Sequence, residues 1–400
     1  EIPVTYTIVQ ESHMTKKAQY STSPYSSKGR LYQEEESINR NPYQRDRDRV
    51  IHSDSFRLLK HKTQVFVAHT GDYYRTRLTH SLEVSQIART VARRLDIDED
   101  LSEVLALAHD LGHPPFAHSG EDVLNSCMKA YDGFDHNAQT LRILTTLEER
   151  YPLFNGLNLT WETLEGIAKH NGPLENPHIV IKDFNKIYDL GLNTFPGLEA
   201  QIASLSDDIA YNNHDIDDGF RAGFINLDDL KSIELLANII DQISIEFKKI
   251  DDHMIVKELI RRLIGLMVDD LITETKKNLN TFLPKNVEDI RSNLSPVASF
   301  SDFFISQDKI IRDFLRSRVY EHISIESERI NSKKVIEGLF SKLINNIDLL
   351  PDKLKKKCDI PKSKISARVV CDYIASMTDR SAVENHAILY GKDIMDQPGY

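Results

Sequence analysis

Apolar residues recur at helical spacing along most of this sequence, and this period constrains the fold more than any other feature. In "THSLEVSQIARTVARRL" the series consists of Val84, Ile87, Ala88, Val91 and Leu95, which fall on one face of a helix. "DLSEVLALAHDLG" repeats the pattern and stops at a glycine that two prolines soon follow, a combination that ends helices. Segments that alternate with a period of two are scarce. The sequence therefore predicts an all-α fold.

The same spacing predicts further helices along the chain. The segment from Leu227 to about Leu279 has the pattern of one almost continuous amphipathic helix. An Asn-, Pro- and Ser-rich segment, "NTFLPKNVEDIRSNLSPVASFSD", then predicts a linker between a catalytic core and a C-terminal helical part. The predicted helical ranges are 136–149, 160–170, 197–213, 227–279, 307–347 and 363–390.

The charge balance limits how a nucleic acid or another polyanion could bind. Lysines and arginines number 50 against 61 aspartates and glutamates, a net charge of -11, so a global basic surface for nucleic acid is absent. A polyanion would need a local basic pocket or a bound metal. The cysteines, Cys127, Cys358 and Cys371, form no CxxC motif, and the sequence predicts neither a secretion signal nor a membrane span. A cytoplasmic setting is therefore expected.

Titratable residues are concentrated around one predicted helix end, "ALAHDLGHPPFAHSGEDVLN", where burying them is costly. His80 lies near the start of the preceding helix, and the pair His109–Asp110 ends the next one. Farther along the chain, Asp207, Tyr211 and Asp215 are four residues apart and share a helix face. A lone histidine near an apolar helix is more often a core residue than a ligand. Imidazoles and carboxylates on three facing helices, however, indicate a divalent metal site.

The order of a histidine, a His-Asp pair and a distant aspartate resembles the HD-domain metal-dependent phosphohydrolases. The resemblance extends, in order from about residue 40 to 390, to blocks of the deoxyguanosine triphosphate triphosphohydrolases (dGTPases). These blocks are "NPYQRDRDRVIHSDSFRLLKHKTQVF", "TRLTHSLEVSQIAR", "HDLGHPPFAHSGE", "LEGIAKHNGP", "SDDIAY" and "DYIASMTDRSA". The resemblance implies an all-α fold, with an HD-domain helical core and additional long C-terminal helices.

The resemblance also implies a divalent metal ion, Mg, Mn or a related transition metal. Its expected ligands are His80, His109, Asp110 and Asp207. Asp208 is acidic as well and leaves one ambiguity. Asp207 is preferred because its spacing to Tyr211 and Asp215 repeats the family's order of ligand, tyrosine and second aspartate.

Hydrolysis of a phosphoester needs a nucleophilic water, cationic groups around the phosphoryl charge and an acid for the leaving oxygen. The resemblance places His118 near the α-phosphate as that acid, with Glu121 one helical turn on as its orienting carboxylate. His113 matches a further catalytic-pocket histidine, and a cap at a helix C-terminus is its alternative interpretation.

Further residues are implied to contact the nucleotide. Gln64 in "KTQVF" would hydrogen-bond the 3′-hydroxyl, with Val65 beside the sugar or base, in a fit that excludes a 2′-hydroxyl. Arg77 would bind the α-phosphate, because a guanidinium group can donate two parallel hydrogen bonds to one phosphate. The remaining expected contacts are His136, Lys169, Tyr211 and Asp215 with the phosphate tail and Tyr373 near the base. The competing interpretations are a surface histidine (His136), a solvated lysine (Lys169), a plain helix-end carboxylate (Asp215) and a core tyrosine (Tyr373).

The implied activity is metal-dependent hydrolysis of dGTP, and of other dNTPs, to deoxynucleoside and tripolyphosphate, which would control dNTP pools. The predicted division is an N-terminal arm at 1–45, in which "SHM" is typical of a cloning scar, and an HD-domain core at 46–225. Residues 226–400 form a helical part that completes the nucleotide pocket and supplies the interface of a homo-oligomer, a tetramer or hexamer. A regulatory dNTP or single-stranded DNA is a second expected ligand.

Two other functions stay open on the sequence alone. One is an HD phosphohydrolase that acts on nucleoside monophosphates, cyclic nucleotides or alarmones, against which "KTQVF" and "SDDIAYNNHD" argue. The other is a non-catalytic nucleotide or nucleic-acid sensor, against which the intact pair of His118 and Glu121 argues.

Overall fold

A computed structural model describes residues 17–64 and 74–391 of the chain. Within these ranges the regular structure is helical, and β pairing is limited to two isolated bridges, Arg30 with Thr160 and Thr63 with Thr76. The all-α prediction is therefore confirmed. The same ranges hold no helix with the length and apolar character that crossing a bilayer requires.

The helices of the first half of the chain carry most of the polar residues singled out above. Within the described residues they are α1 (Pro42–Ile51), α2 (Asp54–Leu58), α3 (Arg77–Arg94), α4 (Glu99–Ala108), α5 (Ala117–Met128), α6 (His136–Arg142), α7 (Trp161–Ala168), α8 (Ile179–Ile187) and α9 (Leu198–Arg221). Polar side chains fix where several of them begin. Thr76 starts α3 with a capping box, and the carboxylates of Asp98 and Asp135 accept backbone N–H groups of α4 and α6.

The helices of the second half are shorter than the apolar pattern predicts. They are α10 (Leu227–Lys231), α11 (Glu234–Glu246), α12 (Asp252–Phe282), α13 (Val287–Ser292), α14 (Asp302–Leu315), α15 (Ile323–Asn345), α16 (Asp352–Lys355), α17 (Lys364–Ala375) and α18 (Asp379–Tyr390). The almost continuous helix predicted over 227–279 is wrong, because Ile233 and Phe247 adopt extended backbone and Asp251 caps a new helix. Thr378 likewise caps α18 and divides the predicted helix 363–390.

Three apolar clusters hold the helices together. The first joins α3 and α9 to α11, α12 and α14, and so includes residues on both sides of position 225. The second lies among α1, α4, α6 and α7, and the third among α5, α15, α17 and α18. Helices α3, α4 and α9 pack against one another. The predicted metal ligands therefore sit on elements whose relative positions are set by packed apolar side chains.

The described part of the N-terminal arm is anchored to α9. Glu199 is fully buried, and its Oε1 accepts hydrogen bonds from Ser21 Oγ over 3.0 Å and from Thr22 N over 2.9 Å. The same oxygen lies 3.1 Å from the backbone nitrogen of Asp98, at the start of α4. One carboxylate thus joins the arm, α4 and the helix that carries Asp207.

The segment predicted as a linker, 280–302, packs onto α9. The backbone nitrogens of Val297 and Ala298 donate to Gln201 Oε1 over 2.8 and 3.0 Å, and both residues are buried. Its residues 287–292 form α13. Hydrogen bonds and apolar contacts therefore hold this segment against α9, and the division into two parts at this segment stays a prediction.

Candidate active site

Three elements bring the four predicted metal ligands together. His80 lies in the first turn of α3, His109 and Asp110 in the turn that follows α4, and Asp207 within α9. Ligand atoms of His80, His109 and Asp110 lie within 4.8 Å of one another. Asp207 Oδ1 lies 2.8 Å from His80 Nε2 and 3.5 Å from His109 Nε2. Two imidazoles and two carboxylates therefore converge on one small volume.

The ring of His109 supports a metal site most directly. Its Nδ1 lies 2.7 Å from the carbonyl oxygen of Ala106, so Nδ1 donates this hydrogen bond and, in the neutral ring that binds metal, Nε2 carries the lone pair. Nε2 is buried and has no hydrogen-bond partner among the described residues. A buried acceptor without a partner is costly, and a divalent cation would satisfy it. The residues present therefore fit a divalent metal ion.

The local charge also favours a cation. Without a cation, a second proton is favoured on the ring: burial opposes the charged form of His109, but the carboxylates of Asp110 and Asp207 outweigh it and raise its pKa to about 9, and a divalent cation would replace that proton. Burial would raise the pKa of Asp207, but the imidazoles of His109, His170 and His80 hold it well below its usual value. The carboxylate therefore stays ionised, which is the form that binds metal.

The structure separates the two aspartates of the "DD" doublet. Asp207 faces the imidazoles, whereas an oxygen of Asp208 lies 2.8 Å from the guanidinium of Arg312 on α14. Successive side chains of a helix point about 100° apart, so the two carboxylates face different neighbours. This geometry supports the choice of Asp207 as the ligand.

Asp110 is bound by two further basic side chains. Arg77 donates from Nη1 to Asp110 Oδ2 over 2.8 Å, while its Nε is buried without a partner. His113 Nε2 lies 3.2 Å from Oδ1 of the same carboxylate. Burial opposes ionisation of Asp110, but Arg77 and His109 hold its pKa well below the usual value. Burial and the nearby Arg77 charge lower the pKa of His113, so its imidazole is neutral.

A second histidine cluster begins at the start of α5. The predicted pairing of Glu121 with His118 is loose, because His118 Nδ1 lies 3.6 Å from the carboxylate. Glu121 instead accepts hydrogen bonds from His136, from Nδ1 over 2.8 Å and from the backbone nitrogen over 2.9 Å. His113 stacks on His136 with ring centroids 4.0 Å apart. Burial would raise the pKa of Glu121, but His118 and His136 hold it below its usual range.

His118 directly follows a turn with strained backbone. Phe116 and Ala117 both have positive φ, 65° and 53°, which costs non-glycine residues about 1–3 kcal/mol each. At Gly120 an added Cβ would lie 1.9 Å from the carbonyl oxygen of Pro115, so only glycine fits the tight approach of α5. Strain of this kind persists only where surrounding contacts fix the backbone.

A cavity of about 300 Å³ adjoins the two clusters. Tyr211 is one helical turn beyond Asp207, its ring centroid lies 6.4 Å from that of His80, and it forms part of the cavity wall. Residues of α5 and of the C-terminal helices also line the cavity. Its polar side chains include Gln64, His118, Asp122, Tyr211, Tyr320 and Arg329. The four predicted metal ligands are not in the cavity wall, and Tyr211, which lies beside His80, is the residue that connects them to it.

Gln64 reaches this cavity from the segment before the gap at 65–73. Its side chain is only 4% exposed, and its Oε1 has no hydrogen-bond partner within residues 17–64 and 74–391. A buried amide oxygen without a partner is suited to a ligand hydroxyl. Val65, which is expected beside the sugar, lies outside the described residues.

Asp215 reaches the cavity through a tyrosine. Its buried carboxylate accepts a hydrogen bond from the hydroxyl of Tyr320, and burial raises its pKa well above the usual value. The rings of Tyr211 and Tyr320 lie 6.5 Å apart and both line the cavity. The expected contact of Asp215 with a phosphate tail stays a prediction, and Tyr320 is the group that this carboxylate orients.

Among the described residues that were predicted to contact substrate, Gln64 and Tyr211 line the cavity, whereas Arg77, His136, Lys169, Asp215 and Tyr373 do not. Lys169 is buried rather than solvated, donates from Nζ to Glu165 and to Thr194 over 3.0 Å each, and has a pKa lowered by burial. Tyr373 packs in the C-terminal cluster with its hydroxyl 3.4 Å from Asn385. Neither lines the cavity in the described part of the chain. Their substrate contacts stay predictions that this geometry does not support.

Sequence analysis missed two histidines beside the metal ligands. His170 Nε2 lies 3.6 Å from Asp207 Oδ2, and His214 Nδ1 lies 3.3 Å from His80 Nδ1. His214 could have been found, because it follows Asp207 by seven residues, which is about two helical turns. His170 follows Lys169 directly at the end of α7, and no sequence spacing tells which of these neighbours faces the site.

Comparison with known proteins gives the family. A deoxyguanosinetriphosphate triphosphohydrolase-like protein of Parvibaculum lavamentivorans is 49% identical over 380 residues, covering 93% of this chain and 96% of that protein. A protein of the same description from Brucella anthropi is 48% identical over 384 residues, covering 94% and 96%. The chain belongs to the deoxyguanosinetriphosphate triphosphohydrolase-like family.

Two family models match parts of this member of the deoxyguanosinetriphosphate triphosphohydrolase-like family. The HD domain matches residues 77–212, which include the four predicted metal ligands. The phosphohydrolase-associated domain matches residues 298–388, which supply Tyr320 and Arg329 to the cavity. HD domains are metal-dependent phosphohydrolases, so the family relationship supports a hydrolase with a nucleotide substrate.

Proposed function

We propose that this protein hydrolyses dGTP, and other dNTPs, to deoxynucleoside and tripolyphosphate. One observation carries the proposal: His80, His109, Asp110 and Asp207 converge beside Tyr211, and Tyr211 lines a cavity together with Gln64 and His118. Phosphoryl transfer requires a cation, a basic group for the phosphate and an acid for the leaving oxygen within reach of one phosphorus. The described side chains include a candidate for each role.

A divalent cation held by the two histidines and two aspartates would supply a water of lowered pKa and would neutralise phosphate charge. The protein's own groups do the rest. Arg77 presents its unpaired Nε to the α-phosphate while Nη1 stays on Asp110. Gln64 accepts the 3′-hydroxyl at the sugar end of the cavity. Both contacts orient the nucleotide before any bond breaks.

The bond that breaks joins the α-phosphorus to the 5′-oxygen. Water adds to phosphorus, and the departing 5′-oxygen takes a proton from His118, so that deoxynucleoside and tripolyphosphate are released. Glu121 lies 3.6 Å from His118 Nδ1 and is itself hydrogen-bonded to His136. This arrangement gives the imidazole of His118 a fixed, negatively charged neighbour.

The activity is tested with the four dNTPs, singly and in mixtures, in the presence of Mg, Mn or Co. We expect phosphorus NMR to show tripolyphosphate as the phosphorus-containing product, with dGTP as the preferred substrate. Orthophosphate or pyrophosphate alone would favour another HD phosphohydrolase. Nucleotide binding without hydrolysis under every metal would favour a sensor.

The C-terminal side of the cavity suits a guanine base. Arg329 of α15 and Asp122 of α5 both line this cavity. An arginine donates to O6 and N7 of guanine, and a carboxylate accepts from its N1–H and 2-amino groups. Adenine presents an amino group in place of O6, so the guanidinium would lose an acceptor there. This pair supports dGTP as the preferred nucleotide.

Replacing Arg329 by methionine should lower the preference for dGTP over dATP. Because a bidentate base contact discriminates by about 1–3 kcal/mol, we expect the ratio of kcat/KM values to fall about tenfold or more. Lys333 lies one helical turn after Arg329 in α15. It lines a neighbouring cavity but not this one, so Lys333→Met is the matched control. An unchanged ratio in Arg329→Met would mean that other residues read the base.

The predicted homo-oligomer, a tetramer or hexamer, and a regulatory dNTP or single-stranded DNA belong to the same proposal. Exposed apolar side chains on α14 support a subunit interface, since large side chains in a cluster rarely face water. Phe303 and Ile310, seven residues apart on one face of α14, are exposed by 55% and 44%, and Ile305, on the opposite face, by 53%.

A further inference from the structure

Asp379, the first residue of α18, is a buried carboxylate that the proposed chemistry does not use. It is 3% exposed. Its Oδ2 accepts hydrogen bonds from the backbone nitrogen of Thr63 over 2.9 Å and from the Thr63 hydroxyl, and its Oδ1 accepts from the backbone nitrogen of Phe116 over 2.9 Å. Both partners are far away in sequence, by 316 and 263 residues. One carboxylate therefore joins two separate loops.

The first of these loops carries Gln64. Thr63 precedes Gln64 directly, and Lys62 precedes both with its Nζ buried. Lys62 Nζ donates to the carbonyl oxygens of His113 over 2.6 Å and Ala375 over 2.8 Å. The junction between α17 and α18 thus holds the loop 62–64 at two points, one through Lys62 and one through Thr63. Both contacts lie within two residues of Gln64, so they fix the backbone from which its side chain extends.

The second loop carries His118. Phe116 and Ala117 are the two residues with left-handed backbone immediately before it. Such a conformation is unfavourable for both side chains and needs outside contacts to persist. The hydrogen bond from Phe116 N to Asp379 is such a contact, and it is charge-assisted. The position of the His118 imidazole therefore depends on a residue of the C-terminal helices.

We propose that Asp379 is a positioning residue that sets the sugar-contacting Gln64 and the acid His118 in register with each other. The inference rests on the proposed function for its catalytic consequence. Its structural content is independent of that function, because it concerns two loops and the carboxylate between them. Since small displacements of catalytic groups reduce turnover strongly, the carboxylate acts on the reaction without touching the substrate.

The test compares Asp379→Asn with Asp372→Asn. Asp372 is a buried carboxylate of α17 that binds Arg142 and Gln139 and touches neither loop, so it controls for the loss of a buried charge. Asparagine keeps the size of the side chain but offers only one acceptor oxygen. In Asp379→Asn we expect kcat for dGTP to fall by about 10²-fold, and the preference for dGTP over 2′,3′-dideoxy-GTP to shrink. Asp372→Asn should keep the wild-type kcat and the wild-type preference for dGTP over 2′,3′-dideoxy-GTP, while its melting temperature falls.

Hydrogen–deuterium exchange gives a readout that needs no activity. Segments 60–64 and 112–120 should exchange about tenfold faster in Asp379→Asn, as the loss of a charge-assisted hydrogen bond allows, and at the wild-type rate in Asp372→Asn. Unchanged exchange in both segments, or an unchanged dideoxy preference in an active variant, would overturn the inference. Thr63→Val removes only the hydroxyl that donates to Asp379. If Asp379→Asn does not fold, hydrogen exchange and the dideoxy preference of Thr63→Val test the inference instead. A wild type that exchanges as expected but cuts no dNTP would count against the proposed function alone.

Discussion

Asp207→Ala is expected to lose its divalent metal and, with it, hydrolysis. Asp207 Oδ1 lies within 3.5 Å of the Nε2 atoms of both His80 and His109, so its removal leaves two imidazoles and Asp110 around the ion. Even outer partners of metal ligands change affinity by about 10–100-fold, and a direct ligand should exceed that range. Elemental analysis of the purified variant measures the loss without depending on turnover.

Asp208→Ala is the matched control for this experiment. The two aspartates are neighbours in α9, but Asp208 pairs with Arg312 and faces away from the imidazoles. We expect this variant to keep its metal content. If Asp207→Ala kept its metal and Asp208→Ala lost it, the ligand assignment would pass to Asp208.

His118→Ala is expected to lower turnover by about 10²-fold or more while the bound metal and most of the nucleotide affinity remain. His118 lines the cavity and has 58% of its side chain exposed, whereas the predicted metal ligands are a separate set of residues. Steady-state kinetics with dGTP, dGTP binding and metal content are measured on the same preparation. Near-normal turnover would remove His118 from its role as acid.

A second substrate separates an acid from a merely structural residue. A nitrophenyl phosphodiester has a leaving oxygen that departs without protonation, so an acid contributes little to its cleavage. The defect of His118→Ala should therefore be much smaller with this substrate than with dGTP. His52→Ala, which changes an exposed histidine at the end of α1, is expected to match the wild type on both.

The period of apolar residues was enough to predict the fold class, because burying one face of each segment requires helices whatever their exact ends. It did not predict the breaks at Ile233 and Phe247, where neighbouring helices and the cap at Asp251 determine the backbone. Apolar side chains continue across both breaks, so the pattern alone shows no interruption.

The site was predictable where it is local and unpredictable where it depends on distant partners. Asp207 and Tyr211 are four residues apart, so helical spacing predicts that they share a face of α9. The structure places Tyr211 in the cavity wall. The preference of Glu121 for His136 depends on how α6 packs beside α5, and the contacts of Asp379 span most of the chain. Sequence spacing holds no information on such pairs, since only the folded arrangement brings them together.

The hydrogen bonds between Glu199 and the N-terminal arm have a consequence for how the sequences of this family diverge. Ser21 and Thr22 satisfy a carboxylate that lies two helical turns before Asp207 on the same helix. A chimaera that took the arm from one relative and α9 from another would leave this buried charge with mismatched neighbours. The two segments are therefore expected to be inherited together, although Thr22 and Glu199 are 177 positions apart in the polypeptide.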